Sequence, residues 1–449
     1  MGHLLRKFSN LLGASLLLCQ SSTLTAQGPI PISDDFQVNT YTTGWQWVPS
    51  VAVAPDGSFL IAWQSEGSFE TDTDGYSIQV QRFSASGSPI GSQFQLNTYT
   101  TGAQARPHAV ADESGNFIVV WHSDGSFGSD TDSFSIQGRV VRPWAPHDSR
   151  EFQVNSYTTG SQAGPAAAVQ PKGRFIVTWS GRGFGNDPDR SVQGRRFQLD
   201  GTPVGGEFQV NSYTTGAQRY SQVATDAAGN FVVTWTSDGS YGSDIWKESV
   251  QARRFLADST PLGSDFQVNS FTDGLQGISF VDAGASGDFV VTWTSFYGIN
   301  TAAWTIQAQR FRGDGLPLGQ QFQVSNYTTE YQQSSPVAMR PNGEFIVVWH
   351  HNGRPPQRDS SGILGREFKA NGMALTGEFQ VNGYTTDTQR SSAIALGPDG
   401  RFIVAWSSFR SPGTDDEPES IQARIFLSSW ILLDGFESGD TSVWSNTVQ

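Results

Sequence analysis

The chain has one cysteine, Cys19, in 449 residues. Cys19 lies inside an N-terminal segment that reads as removable, so the mature chain is expected to hold no thiol. That excludes disulfides, a cysteine nucleophile and thiolate metal ligands. A large exported protein of this kind must rest on packing alone, which is more usual of bacterial than of eukaryotic secreted proteins. Histidine is scarce too: five follow residue 26, at His108, His122, His147, His350 and His351. No serine sits in a nucleophile elbow, and no phosphate-cradling glycine loop or dinucleotide fingerprint is present. Basic residues are outnumbered 28 to 42, a formal charge of −14. A nucleic-acid partner is disfavoured, because it calls for a basic face that displaces counterions. No apolar run approaches the ~20 residues of a membrane-spanning helix.

Residues 1–26 carry Arg6 and Lys7 ahead of the apolar stretch Leu11 to Leu18, and Ala26 ends a cleavage site. This is the pattern of an export signal, although Leu24 is larger than the residue usual at that site. Its removal takes away two positive charges and leaves −16. Lipidation at Cys19 fits poorly, because Leu18 stands where a small residue is expected. The expected organisation is a signal peptide over 1–26, one repeat domain over 27–430 and a tail over 431–449. The expected place of action is the periplasm, the cell surface or the medium.

What the sequence has in abundance is self-similarity. Phe-Gln-Val-Asn, with small variations, starts at Phe36, Phe94, Phe152, Phe208, Phe266, Phe322 and Phe379, at intervals of 56 to 58 residues. A second phrase, Phe-aliphatic-aliphatic-x-Trp, ends at Trp63, Trp121, Trp179, Trp235, Trp293, Trp349 and Trp406. The two run in step seven times, which signals a solenoid, a propeller or an array. In the first unit the spacing predicts strands near 50–54, 58–64, 76–83 and 93–97. Phe59, Ile61 and Trp63 face one way and Leu60 and Ala62 the other, and a strand apolar on both faces must be covered on both. Four antiparallel strands in ~55 residues match a propeller blade, whereas an immunoglobulin-like sandwich needs about 100. The fold class expected is all-β, a seven-bladed β-propeller. Small residues such as Val51-Ala52-Val53-Ala54 suit an innermost strand crowded at the axis. The chain opens on a fourth-type strand at Phe36–Asn39, and the seventh unit lacks a good one. Residues 36–39 are therefore expected to complete the last blade by pairing near Ser420–Phe426, which removes an exposed edge.

Units of the type Phe-Gln-Val-Asn-x-Tyr-Thr-Thr-Gly-x-Gln, Gly-x-Phe-Val-Val-Thr-Trp and Ser-Ile-Gln-x-Arg-Arg-Phe resemble repeats found in large secreted and surface proteins of bacteria. The resemblance covers residues 36 to 426 and implies no single activity. The tail from Leu433 to Ser445 is similar to endings of exported bacterial proteins. Phe436 also keeps the repeat interval, so a decayed fourth strand is an equal reading.

Strand parity puts tight glycine-rich turns on one face and long irregular loops on the other. The long loops hold Glu66, Glu70, Asp72 and Asp74; Asp124, Asp130 and Asp132; Asp187 and Asp189; Asp238 and Asp244; and Asp415, Asp416 and Glu417. Solubility and turn chemistry explain most such acid. Asp72-Thr73-Asp74-Gly75 resembles an oxygen-rich turn for calcium, but it lacks a third spaced carboxylate and a closing Glu. His350 and His351 are adjacent on a strand, point to opposite faces and cannot share an ion. Gln46, Gln104, Gln162, Gln218, Gln276, Gln332 and Gln389 recur ten residues after each unit's Phe, and an aromatic recurs five after it, from Tyr41 and Tyr99 to Phe271 and Tyr384. Such a glutamine reads first as structural, its amide serving the backbone between blades; a sugar pocket between blades is the alternative.

No catalytic, cofactor-binding or metal-binding residue is assigned, and no cofactor is implied. The leading reading is a monomeric, non-catalytic binding propeller with an extracellular protein or glycan as partner. A multivalent lectin, and a polysaccharide hydrolase or lyase using loop carboxylates, are the alternatives. An enzyme should break the repeat symmetry with unusual acids, whereas a lectin should keep its site residues in every blade.

Overall fold

In each unit Phe-aliphatic-aliphatic-x-Trp forms the second strand, and all seven tryptophans are essentially fully buried. The computed structural model describes residues 28–431 apart from 69, 127, 146–147, 183–188, 245–246, 297–303, 327–330, 354–360 and 411–418. The expected signal peptide, Cys19, His147, Asp187, Tyr327, Asp415, Asp416, Glu417 and nearly all of the tail, with Phe436, therefore lie outside the described residues. Seven antiparallel sheets follow one another round a ring. Six take their four strands in sequence order, blade six with its innermost strand in two pieces, and blade seven takes its outer strand from the N-terminal end of the chain. The protein is a seven-bladed β-propeller.

Blade four shows the pattern. Gln218–Thr225 lines the axis, Phe231–Asp238 and Glu248–Phe255 follow outward, and Phe266–Gln267 forms a two-residue outer edge. The hydrophobic core lies between blades rather than within them. Phe231, Val233, Trp235 and Phe255 of blade four pack on Ala166, Ala168, Ile176 and Val192 of blade three. Phe231 and Phe255 stack with ring centroids 4.9 Å apart, a pairing repeated in five other blades. Each apolar-both-faces strand is thus covered by its own blade's two neighbours.

Phe36–Gln37 closes the ring on Glu419–Leu427, with Phe36 opposite Ala423 and Gln37 opposite Gln422. Ile30 and Pro31 extend the closure to Leu427 and Phe426. Beyond the last strand, Ser428–Trp430 docks on blade six. The Glu367 carboxylate accepts from the Ser428 hydroxyl at 2.6 Å, and the Arg340 guanidinium lies 4.4 Å from the Trp430 ring centroid.

The first strands differ from expectation. The first blade's innermost strand starts at Gln46, four residues earlier than the spacing predicts, because it runs through a bulge. In every blade the residue twelve after the unit's Phe takes a left-handed conformation: Val48, Arg106, Gly164, Tyr220, Ile278, Ser334 and Ser391, with φ between 52° and 64°. Six of the seven are not glycine, and Val48 and Ile278 are β-branched, so the ring of bulges is strained. Several of their N–H groups reach the preceding blade. Val48 donates to Ser407 Oγ at 3.1 Å, Arg106 to Gln64 Oε1 at 3.0 Å and Ile278 to Thr236 Oγ1 at 3.0 Å. These partners are the residues directly after the strand tryptophans, so bulge and tryptophan hold adjacent blades in register.

Candidate functional site

The recurrent glutamines are structural. Trp235 Nε1 donates to Gln218 Oε1 at 3.0 Å, and the Gln218 amide donates to the Thr215 and Gly216 carbonyls. The same indole-to-amide bond occurs at Trp63–Gln46, Trp293–Gln276 and Trp406–Gln389, at 2.9 to 3.0 Å. All seven glutamines are fully buried. They offer no hydroxyl-binding amide to a sugar, and the expected pocket between blades is filled by the protein itself. Tyr99 packs against its own blade's loop: a Cβ at Gly125 would fall 2.5 Å from the Tyr99 hydroxyl, and Gly125 has φ 82°. Glycine is required there on both counts.

The acids expected on long loops separate into two groups. Asp72, Asp130 and Asp244 are buried, and each accepts from an asparagine of the next Phe-Gln-Val-Asn phrase: Asn97 at 2.6 Å, Asn155 at 2.6 Å and Asn269 at 2.8 Å. Burial raises the pKa of Asp72 and of Asp130, and the asparagine bond opposes that rise. Asp74 and Asp132 accept from the Gly102 and Gly160 N–H groups at 3.0 and 2.9 Å. These carboxylates fasten loops, and among the described residues no three His, Cys, Asp or Glu come together to hold a cation. Glu66, Asp124 and Asp238, by contrast, are strand-end residues rather than loop residues.

Histidine is also spent on the frame. His108 Nδ1 accepts from the Ala167 N–H at 3.2 Å, and burial lowers its pKa to about 4. His122 Nδ1 lies 3.5 Å from the Gly164 N–H, and burial, helped by Arg106, lowers it likewise to about 4. His350 faces the axial channel, and its pKa also falls to about 4, through burial first and then through His351 and Arg390. His351, next along the strand, is buried. The channel encloses about 770 Å³ between the seven innermost strands. Among the described residues its wall carries one carboxylate, Asp282, where the other blades have alanine or valine. Burial pushes Asp282 up to about 6. Asp282 accepts from the Met339 and Ala283 N–H groups at 2.7 and 2.9 Å, so it serves exposed strand backbone as His108 does.

The place where the blades differ chemically is the loop-side end of the second and third strands. Directly opposed residues there are Glu66 and Tyr76 in blade one, Asp124 and Phe134 in blade two, and Arg182 and Arg190 in blade three. They are Asp238 and Glu248 in blade four, Phe296 and Trp304 in blade five, Asn352 and Ser361 in blade six, and Phe409 and Glu419 in blade seven. Three positions below, all seven blades keep the same tryptophan. A rigid frame thus presents seven different residue pairs on one face.

Blade four alone opposes two carboxylates. Like charges directly across a strand pair repel, and here Arg219 of the innermost strand offsets that. Arg219 Nη2 lies 2.6 Å from Asp238 Oδ1 and 2.5 Å from Glu248 Oε1, which puts those oxygens within about 5 Å of each other. Burial works against the guanidinium charge, and Glu248 and Asp238 overcome it, so the pKa of Arg219 is raised. Both carboxylates remain partly open to solvent. On the side of blade five, Gly277 stands where other blades have Trp47, Ala105, Arg219 or Arg390. A Cβ on Gly277 would lie 3.2 Å from Glu248 Oε2, so glycine keeps that flank of the carboxylate clear. Blade seven repeats part of the arrangement, with Arg390 Nε 2.7 Å from Glu419 Oε1, but Phe409 replaces the second acid.

No family model matches the chain, and no curated protein matches it. Solved structures of similar architecture do exist. The polysaccharide lyase Uly1 aligns at 8% identity and a TM-score of 0.49, over 90% of this chain and 100% of its own. The NanB sialidase of Streptococcus pneumoniae aligns at 10% and 0.47, over 87% of this chain and 70% of its own. The α-L-arabinanase of Penicillium chrysogenum aligns at 11% and 0.47, over 89% and 98%. At these identities the likeness is one of fold and lends this chain no activity. One expectation is corrected by the chain's own geometry. The reading of a non-catalytic binding propeller is withdrawn, because the propeller breaks its symmetry with the opposed acids Asp238 and Glu248 while it buries the glutamines that recur in every blade.

Proposed function

We propose that this chain is an exported glycan-degrading enzyme, a glycoside hydrolase, whose reacting groups are Asp238 and Glu248. The observation that carries the reading is their opposition on a single strand pair, within about 5 Å, on strand ends of a rigid blade. Retaining glycosidases use two carboxyl groups about 5–5.5 Å apart, one to protonate the leaving oxygen and one to attack the anomeric carbon. The Arg219 bridge caps the separation of the bridged oxygens here at about 5 Å, short of the wider gap that an inverting pair needs for its water. The cleared flank beside Glu248 gives a sugar access. In the first step one carboxyl delivers its proton to the glycosidic oxygen, while the other forms a glycosyl ester and the bond to the leaving sugar breaks. Water then cleaves the ester and returns a proton to the first carboxylate. Arg219 orients both groups and offsets their repulsion between turnovers. The expected export signal over residues 1–26 and the resemblance to secreted bacterial repeats support an extracellular place of action.

The test is a screen of the purified mature protein against polysaccharides, reading new reducing ends. Asp238→Asn and Glu248→Gln should each lower kcat by at least about a hundredfold while leaving the melting temperature close to wild type. Turnover that survives both substitutions, or no turnover on any glycan, would overturn the reading.

A further inference from the structure

The residues beside the carboxylate pair bear on which glycan it serves. Arg182 and Arg190 are directly opposed at the end of blade three, next to blade four. Like charges in that position destabilise the strand pairing. Among the described residues neither guanidinium has a carboxylate within ion-pair distance. The chain as a whole has 14 more acids than bases, so two adjacent arginines with no acid paired to them among the described residues are not a by-product of composition. Gln218–Thr225 of blade four packs against Arg174–Arg182 and Arg190–Gln198 of blade three, and its Arg219 holds Asp238 and Glu248, so the arginine pair lies alongside the Asp238–Glu248 site. Arg190 feels Arg219 and Tyr220 accordingly. Burial, and then the Arg182 charge, lower the pKa of Arg190. An incoming anion would relieve both penalties. Tyr220 is 45% exposed at its strained bulge and presents a ring beside the arginines.

We infer that the glycan is anionic, and that Arg182 and Arg190 bind its carboxylate or sulfate group beside the reacting pair. The inference rests on the reading of Asp238 and Glu248 as the reacting groups. Two planar guanidinium forks at the ends of paired strands match the oxygen pairs of such a group, which a lysine ammonium does not. Tyr220 stacks on a sugar face next to the bound anion.

The test measures binding by the full mature chain carrying Glu248→Gln, so that turnover does not consume the probe. The probes are polygalacturonate, its carboxyl-reduced neutral counterpart and dextran sulfate. Polygalacturonate or dextran sulfate should bind at least about tenfold more tightly than the neutral polymer, and which of the two binds identifies the anionic group. Arg182→Gln and Arg190→Gln should each remove most of that preference. Arg312→Gln, at an exposed arginine on the opposite face, should leave it intact, which separates a site from general attraction to a polyanion. Circular dichroism of each variant establishes that it is folded, and Arg182→Lys, which keeps the charge and loses the fork, should fall between. Equal binding of neutral and anionic polymers, or a preference unaffected by the two arginine variants, would overturn the inference. Anion-selective binding by a wild-type protein that cleaves nothing would sink the hydrolase reading and leave this one standing. Cleavage confined to neutral glycans would do the reverse.

Discussion

Trp235 and Gln218 are joined by a hydrogen bond of 3.0 Å, both fully buried, and the glutamine passes the connection on to the Thr215 and Gly216 carbonyls. One amide therefore ties the second strand, the first strand and the crossing from the previous blade. Gln218→Leu leaves the indole N–H and the crossing carbonyls without a partner. Each orphaned buried group costs about 1–3 kcal/mol, and Trp235→Ala about 3–5 kcal/mol through lost burial and a cavity. Chemical denaturation should show both losses, with the catalytic constants per folded molecule unchanged for Gln218→Leu.

The ring depends on its N-terminal strand. Phe36 packs at the closure against Phe83 of blade one, ring centroids 5.5 Å apart, and its backbone covers the edge of Glu419–Leu427. Removing the segment up to Asn39 should expose that edge, an unpaired strand open to other chains. Size-exclusion chromatography of the truncated chain should show oligomers or aggregates, and unfolding should lose cooperativity. A truncated chain as monomeric and as stable as the parent would show that closure lies elsewhere.

Stability should fall as the medium is acidified from pH 6.5 towards 4. His108 and His122 have folded pKa values of about 4, below the ordinary 6.5, so their contribution is complete above 6.5 and is lost as pH falls. Asp282 has the opposite sign: its pKa of about 6 lies above the ordinary 3.8, so it detracts at neutral pH and recovers as pH falls through 6. His108→Ser should flatten the acid limb, because Ser50 makes the corresponding bond to the Ala109 N–H in the neighbouring blade. Asp282→Ala should steepen it. Melting temperatures across that pH range for the three proteins decide the matter.

The architecture was legible because it is written seven times. The Phe and Trp phrases set the blade count, and alternation in Phe59–Trp63 showed strands covered on both faces. The offset of Phe36 foretold the closure. The bulges were not legible: alternation gives no sign of an extra residue, and only Gly164 among the seven carries the residue type that a left-handed position favours. The Asp238–Glu248 and Arg182–Arg190 pairs were hidden for a related reason. Each pair is made by strand register across a loop of varying length, so Asp238 looked like a loop acid and Glu248 was not singled out. A signal was present nonetheless. Thirty residues after each unit's Phe stand Glu66, Asp124, Arg182, Asp238, Phe296, Asn352 and Phe409, a column as varied as the tryptophan column is constant. Within a repeat protein, a strand position that varies between constant neighbours marks the face that recognises something.

The Arg219 bridge allows a sharper test of why opposed acids are tolerated in blade four. If the guanidinium offsets their repulsion, Arg219→Met should destabilise the protein by about 1 kcal/mol, the scale of a directly opposed like-charge pair. Added salt should reduce that loss, because both acids are partly exposed and screening weakens their repulsion. The double variant Arg219→Met with Asp238→Asn should recover most of the stability, since it removes the repulsion along with the bridge. A double-mutant cycle gives the coupling between the two positions directly. A coupling near zero would mean that the acids do not sense each other through Arg219. Asp238→Asn alone should be neutral or slightly stabilising while abolishing turnover. Stability and activity would then move in opposite directions at one residue, the expected behaviour of a carboxylate kept for chemistry at some cost to the fold.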